Sequence, residues 1–312
     1  MKAYCSCLAL MLALVFGAAT AAAQPAAALT KTPVTANGLV ADLYLPADGK
    51  GPLPAIIMLG GSEGGMGTAA ARDSKLIAQN GYAVLQVAYF DAPGLPKDLG
   101  LIPLEYFKTA IDWLRAQPNI DPDRIGIVGG SIGSEVALLV ASYYPEIKVA
   151  VAAMPSGVVW PGISHTSGDP PSTFTLAGKP LPDLPYGMPF KTVYGLYAKG
   201  LLALDQHQDA IIPVERINGP VMLVCAKADT LWPSCPMAEQ VVARLKAQRF
   251  HHRVSLLEYA DAGHAVFGQP LDPQNPRLPH LADDGGSVEG NQAARKDSWP
   301  RAMAFLDAAL KR

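Results

Sequence analysis

The pentapeptide Gly129-Gly130-Ser131-Ile132-Gly133 has the G-x-S-x-G form, directly after the apolar run RIGIVG at 124–129 and at the head of a helical pattern. In that setting a sharp strand-to-helix turn lifts the serine hydroxyl clear of the sheet, and the flanking glycines let the turn pack tightly. Serine alone is a poor nucleophile and needs a base within hydrogen-bond reach. Serine is also a favoured helix N-cap, so the five letters by themselves leave that reading open.

A base in this order of elements belongs late in the chain, on a loop beyond the carboxyl end of a strand. Asp261-Ala262-Gly263-His264 follows the strand-like run RVSLLE at 253–258, which makes His264 the expected general base and acid. His251 and His252 precede that strand, His165 and His207 occupy irregular sequence, and His280 follows a Pro-rich stretch. The orienting acid is expected between the two, and Asp229 follows the apolar run PVMLVC at 220–225 by four residues. Its task is to fix the imidazole tautomer and stabilise the imidazolium. Asp261 is the alternative acid, but it stands only three residues before His264. The order Ser131, Asp229, His264 is that of α/β-hydrolases.

Acyl transfer also needs donors aimed at the developing oxyanion. The backbone N–H of Ile132 supplies one by position, and the loop Gly61-Ser62-Glu63 after the run PAIIMLG at 54–60 supplies the second. The Gly-rich loop lacks the Lys-Ser/Thr of a phosphate-binding loop and the GxGxxG spacing. Trp160, Trp232 and Phe267 are candidates for an apolar substrate slot, each equally readable as satellite core. Glu135, one turn after Ser131, reads as structural rather than catalytic.

These residues require a scaffold, and the apolar patterning supplies one. Runs at 54–60, 82–88, 124–129, 147–153, 220–225 and 253–258 are short and mostly apolar, as in strands covered on both faces. They alternate with helical patterns at 69–79, 104–116, 132–143, 236–247 and 293–310. The expected fold class is α/β, a mostly parallel central sheet with helices on both faces. Segment 38–46 alternates apolar and polar residues, as in a strand pair or an edge strand. An irregular Pro/Gly-rich insert, about 155–200, interrupts the rhythm and reads as a lid or binding loop.

Lys2, an apolar run at 8–18 and the small residues up to Ala23 read as a secretory signal peptide over 1–23. The run is too short for a stable membrane span. Residues 24–312 are then expected to form one catalytic domain, exported to the periplasm or secreted. A formal net charge of −2 with both signs dispersed gives no electrostatic handle for nucleic acid. After processing, Cys225 and Cys235 remain, either bridged or as buried thiols. Neither a CxxC pair nor HExxH is present to build a zinc site, so no metal is expected.

Seven stretches together carry a resemblance. They are LGGSEGG at 59–65, GYAVLQVAYF at 81–90, LPKDLGLIPLEYF at 95–107, GIVGGSIGSEVAL at 126–138, DTLWPS at 229–234, DAGH at 261–264 and GGSVEGNQAARKDSWPRAMAFL at 285–306. The chain resembles the C-terminal catalytic domain shared by acyl-coenzyme A thioesterases and bile acid-coenzyme A:amino acid N-acyltransferases, with a dienelactone-hydrolase-like outline. The resemblance implies nucleophile, acid and base at Ser131, Asp229 and His264. Conjugating members characteristically use cysteine, so a serine implies water as acceptor. Two departures stand out: Ile132 occupies a position that often holds Lys, and the leader rather than a β-sandwich domain precedes GLVADLYLP.

The expected activity is hydrolysis of a small-molecule ester or thioester through an acyl-enzyme, without cofactor. An exported carboxylic-ester hydrolase indifferent to coenzyme A, and a catalytically inert ligand-binding module on the same scaffold, stand as alternatives.

Overall fold

A computed structural model describes residues 28–164 and 172–311; the expected leader and His165 lie outside them. The chain order begins with strands β1 (Leu29–Val34), β2 (Val40–Pro46) and β3 (Leu53–Leu59), helix α1 (Thr68–Gln79) and β4 (Ala83–Ala88). The short β5 (Ile102–Pro103) leads into α2 (Leu104–Arg115), β6 (Ile120–Gly130), α3 (Ile132–Tyr143) and β7 (Ile147–Ala153). The insert contributes β8 (Phe174–Leu176), β9 (Lys179–Pro180) and α4 (Val193–Leu201). The chain closes with β10 (Val221–Ala226), α5 (Ser234–Ala247), β11 (Val254–Tyr259) and α6 (Val288–Leu310).

Eight strands form one sheet in the order β1-β2-β4-β3-β6-β7-β10-β11. From β4 to β11 every pairing is parallel, while β2 runs antiparallel to both β1 and β4. Alternate residues of a strand point to opposite faces, and the sheet feeds two cores accordingly. Ile57, Leu85 and Ile127 pack with α2, α3 and α5 on one face; Ile56, Val84 and Val128 pack with α1 and α6 on the other. Every residue of β4 and β10 is buried, as their continuous apolar runs require.

Three elements depart from the sequence pattern. Segment 38–46 lies inside the sheet rather than at its edge, because LTKTPV at β1 covers it; β1 is largely exposed and polar and has no apolar signature. Helix α6 starts at Val288, earlier than the apolar periodicity indicates, because the Ser287 hydroxyl accepts the Gly290 N–H at 2.8 Å and caps a polar first turn. The insert is not a loose loop. β8 and β9 join β5 in a three-stranded sheet, and Trp160, Phe174 and Leu184 are fully buried in the main core.

Glu135 on α3 holds the start of that insert. It is completely buried, and its Oε1 accepts the Trp160 backbone N–H at 3.2 Å. Oε2 has no partner among the described residues. Burial pushes the carboxyl well above the ordinary range against the pull of the Trp160 N–H, and Asp183 adds to the rise. Glu135 therefore holds its proton to higher pH than an exposed glutamate does. The folded state keeps a proton that the unfolded chain loses above about pH 4.3, so this residue costs stability progressively as pH rises towards its folded value, at most about 1.4 kcal/mol per pH unit. Glu135→Gln retains the acceptor and removes the titration. Thermal melts should therefore show the variant level with the parent near pH 4 and more stable than it at pH 8–9, by a margin that grows with pH.

Candidate active site

Ser131 sits between β6 and α3 with φ 57° and ψ −131°, a conformation that side-chain-bearing residues rarely adopt. The surrounding backbone compels it. The Ser131 N–H donates to the Ala153 carbonyl of β7 at 2.9 Å, and the Ser131 carbonyl accepts the Ser134 N–H at 2.8 Å and its hydroxyl at 2.5 Å. The glycines before and after have a packing reason. A Cβ on Gly129 would collide with the Gly133 carbonyl, and one on Gly133 with the Gly60 carbonyl. The elbow thus lies directly on the loop that follows β3.

That loop, Gly61-Ser62-Glu63, lines the same cavity as Ser131, and a Cβ on Gly61 would stand 3.1 Å from that of the serine. Tyr89 anchors the loop by donating its hydroxyl to the Gly60 carbonyl at 2.7 Å. Ile132 is the first residue of α3, where backbone N–H groups have no carbonyl one turn earlier to bond. Ile132 and the Gly61 loop are thus both backbone neighbours of the serine.

His264 and Asp229 meet: Nδ1 of the imidazole is 2.9 Å from Asp229 Oδ2. The other carboxylate oxygen accepts the backbone N–H groups of Leu231 and Trp232 at 3.0 and 3.2 Å, so Asp229 is oriented by its own loop. Asp229 is 5% exposed, which keeps water from competing for the contact. Asp261 turns away and accepts the Ser287 hydroxyl at 2.6 Å at the start of α6. His264 Nε2 has no partner among the described residues, and His264 and Ser131 line one cavity of about 540 Å³.

The acid and base loops are held in register by a third segment. Gly285 and Gly286 form isolated bridges to Asp229 and Ala262, with φ of 104° and 67°. Any side chain there would strike the backbone at Ala228 or Gly263. Asn291, fully buried on α6, accepts the Gly263 N–H and donates to the carbonyls of Gly285 and Ser287. Residue-by-residue reasoning overlooked these supports; the GG and N of the 285–306 stretch are their visible trace.

Of the three apolar slot candidates, Phe267 lines this cavity. Trp160 and Trp232 do not, because both are buried in an aromatic series. Tyr186 stacks on Trp160, Tyr197 meets Trp160 and Trp232 edge-on, and Trp232 meets the His264 ring at 6.0 Å. Trp232 backs the histidine, and Trp160 packs behind it through Tyr197. Cys225 and Cys235 form a disulfide across the loop that carries Asp229. With Glu258 they are the one cluster of metal-type ligands among the described residues, and the bridge occupies both sulfurs. No helix among the described residues is long and apolar enough to cross a membrane.

The family model described as BAAT / Acyl-CoA thioester hydrolase C terminal matches residues 102–312, and a second, BD-FAE, matches 41–152. Over 293 residues the chain is 28% identical to peroxisomal succinyl-coenzyme A thioesterase of Mus musculus, covering 90% of this chain and 65% of that protein. Over 271 residues it is 30% identical to acyl-coenzyme A amino acid N-acyltransferase 1 of Mus musculus, covering 85% and 61%. The chain therefore spans about two thirds of the length of these relatives or slightly less. Among solved structures, it superposes on the Pyrococcus horikoshii acylaminoacyl peptidase with a TM-score of 0.60 at 15% identity, covering 92% of this chain and 42% of that one. An alpha/beta hydrolase, MGS-M1, from a Medee basin deep-sea metagenome library gives 0.55 at 14%, covering 92% and 99%. At such identities the likeness is one of fold. The chain has the α/β-hydrolase fold and belongs to the BAAT / acyl-CoA thioester hydrolase C-terminal family.

Proposed function

We propose that the protein is a serine hydrolase that cleaves an ester or thioester through an acyl-enzyme. The observation that carries this reading is the convergence of an elbow serine and an Asp229-oriented His264 on one cavity. Ser131 Oγ attacks the acyl carbon while His264 Nε2 takes its proton. The Ile132 N–H and a donor of the Gly61-Ser62-Glu63 loop hold the tetrahedral oxyanion. The imidazolium then protonates the departing alkoxide or thiolate. Water, deprotonated by the same nitrogen, attacks the acyl-serine and releases the acid. Asp229 keeps the proton on Nδ1 throughout, so that Nε2 is an acceptor when Ser131 attacks and again when water attacks the acyl-serine.

The same reading puts the enzyme outside the cytoplasm. The leader pattern at 1–23 supports it, as does the Cys225–Cys235 bridge, because such bonds persist in oxidising compartments. Curated relatives named as coenzyme A thioesterases favour a thioester substrate; Ile132 in place of the family's frequent Lys, together with export, favours an oxygen ester.

Ser131→Ala should lower kcat by on the order of 10⁶, and Asp229→Asn by about 10⁴, with fold preserved by circular dichroism. A fluorophosphonate probe should label Ser131 covalently in the parent and leave Ser131→Ala unlabelled. Turnover that survives Ser131→Ala would overturn the assignment. The substrate class is read from kcat/KM for an acyl-coenzyme A and an oxygen ester with the same acyl group. A thioester preference beyond intrinsic reactivity assigns the family substrate, and the reverse assigns a carboxylesterase.

A further inference from the structure

The cavity beside Ser131 carries more positive charge than the hydrolysis above uses. Arg72 of α1, Arg295 of α6 and Arg277 of the loop between them in space all line it. Arg295 is 4% exposed. Its Nε donates to the Gln269 carbonyl at 2.9 Å and its Nη1 to those of Ala265 and Phe267, so one edge of the guanidinium holds the loop after His264. The remaining Nη2 has no partner among the described residues. Nη2 of Arg72 converges on the same spot: a Cβ on Gly268 would lie 2.6 Å from Arg295 Nη2 and 3.0 Å from Arg72 Nη2.

The acidic groups nearby do not neutralise this end. Asp73, buried, is the one carboxylate paired with the cluster among the described residues, and Arg72 engages it through Nε and Nη2 at 2.9 and 2.8 Å. Neither Arg295 nor Arg277 has a carboxylate within 4.0 Å among the described residues. Arg277 instead donates to the Thr68 hydroxyl at 3.3 Å. The Glu63 carboxylate folds back over its own loop against Gly60 and Gly67, and Asp284 is exposed at the rim. Burial and the Arg72 charge hold the Arg295 guanidinium down at about 10, still protonated at neutral pH. A buried cation with a spare donor, facing a second cation, is costly unless an anion completes it.

We infer that this end of the cavity binds an oxyanion of the substrate, a carboxylate or phosphate distant from the scissile carbonyl, between Arg72 and Arg295 with Arg277 at the mouth. Resting on the hydrolase reading, the inference makes the enzyme selective for anionic substrates. The planar donor edges of arginine suit the two or three oxygens of such a group. The acyl part and the leaving group are the two sources of the anion.

Four thioesters separate them: S-pentanoyl-N-acetylcysteamine, its S-glutaryl counterpart, and the same two acyl groups on coenzyme A. One charged member should exceed its neutral partner in kcat/KM by about tenfold or more. A glutaryl advantage assigns the acyl carboxylate; a coenzyme A advantage assigns the leaving-group phosphates. Arg277→Met, at an exposed position, and Arg72→Met should each cut that ratio at least about threefold, as should raised salt. Ratios within about twofold of unity in every pair, or ratios untouched by both substitutions, would overturn the inference. Calorimetric titration of the Ser131→Ala protein with glutarate and with inorganic phosphate reads the site without turnover: neither binding overturns the inference, whereas loss of fluorophosphonate labelling in the parent overturns only the hydrolase reading.

Discussion

Much of this molecule follows from the absence of side chains at one backbone crossing. The turn at Gly129–Gly133 and the loop at Gly60–Gly61 lie so close that no Cβ fits between them. That proximity sets the Ser131 side chain against the backbone of the Gly61 loop. Ser131 holds a φ of 57° there, which β7 and α3 maintain through hydrogen bonds on both sides of the residue. The strain is local, of order 1–3 kcal/mol, and a sheet with all-buried central strands can absorb it.

A second constraint is electrostatic. Two buried ionisable side chains, Glu135 and Arg295, lie on helices at opposite faces of the sheet, and each has one polar atom without a partner among the described residues. They are handled differently. Burial biases Glu135 towards its uncharged form, and its carboxyl serves as an acceptor for the insert. Arg295 cannot shed its charge near neutrality and spreads it over three loop carbonyls. The loop it gathers is the one that begins with His264, so the geometry of the base and the charge of the cavity share a side chain.

How much of this could be read beforehand depended on the distance over which each signal acts. The central strands announced themselves through uninterrupted apolar runs, and the elbow through its glycines in a strand-to-helix setting. Chain order singled out Asp229 and His264, and the fold sets them 2.9 Å apart. β1 was illegible because LTKTPV is an edge strand whose pairing, not its composition, makes it a strand. The roles of Trp160, Trp232 and Phe267 were ambiguous, since an aromatic residue that lines a slot and one packed in the core look alike in one dimension. Arg72, Arg277 and Arg295 come from remote parts of the sequence, and only the fold makes neighbours of them.

The Cys225–Cys235 bridge has a bearing on durability. It closes a ring of chain from the end of β10 to the start of α5, with Asp229 inside it. A peptide bond cut within that ring leaves two pieces that are still one covalent molecule, each rooted in the core by a buried strand or helix. The loop that carries Asp229 can thus be nicked once without either end drifting out of reach.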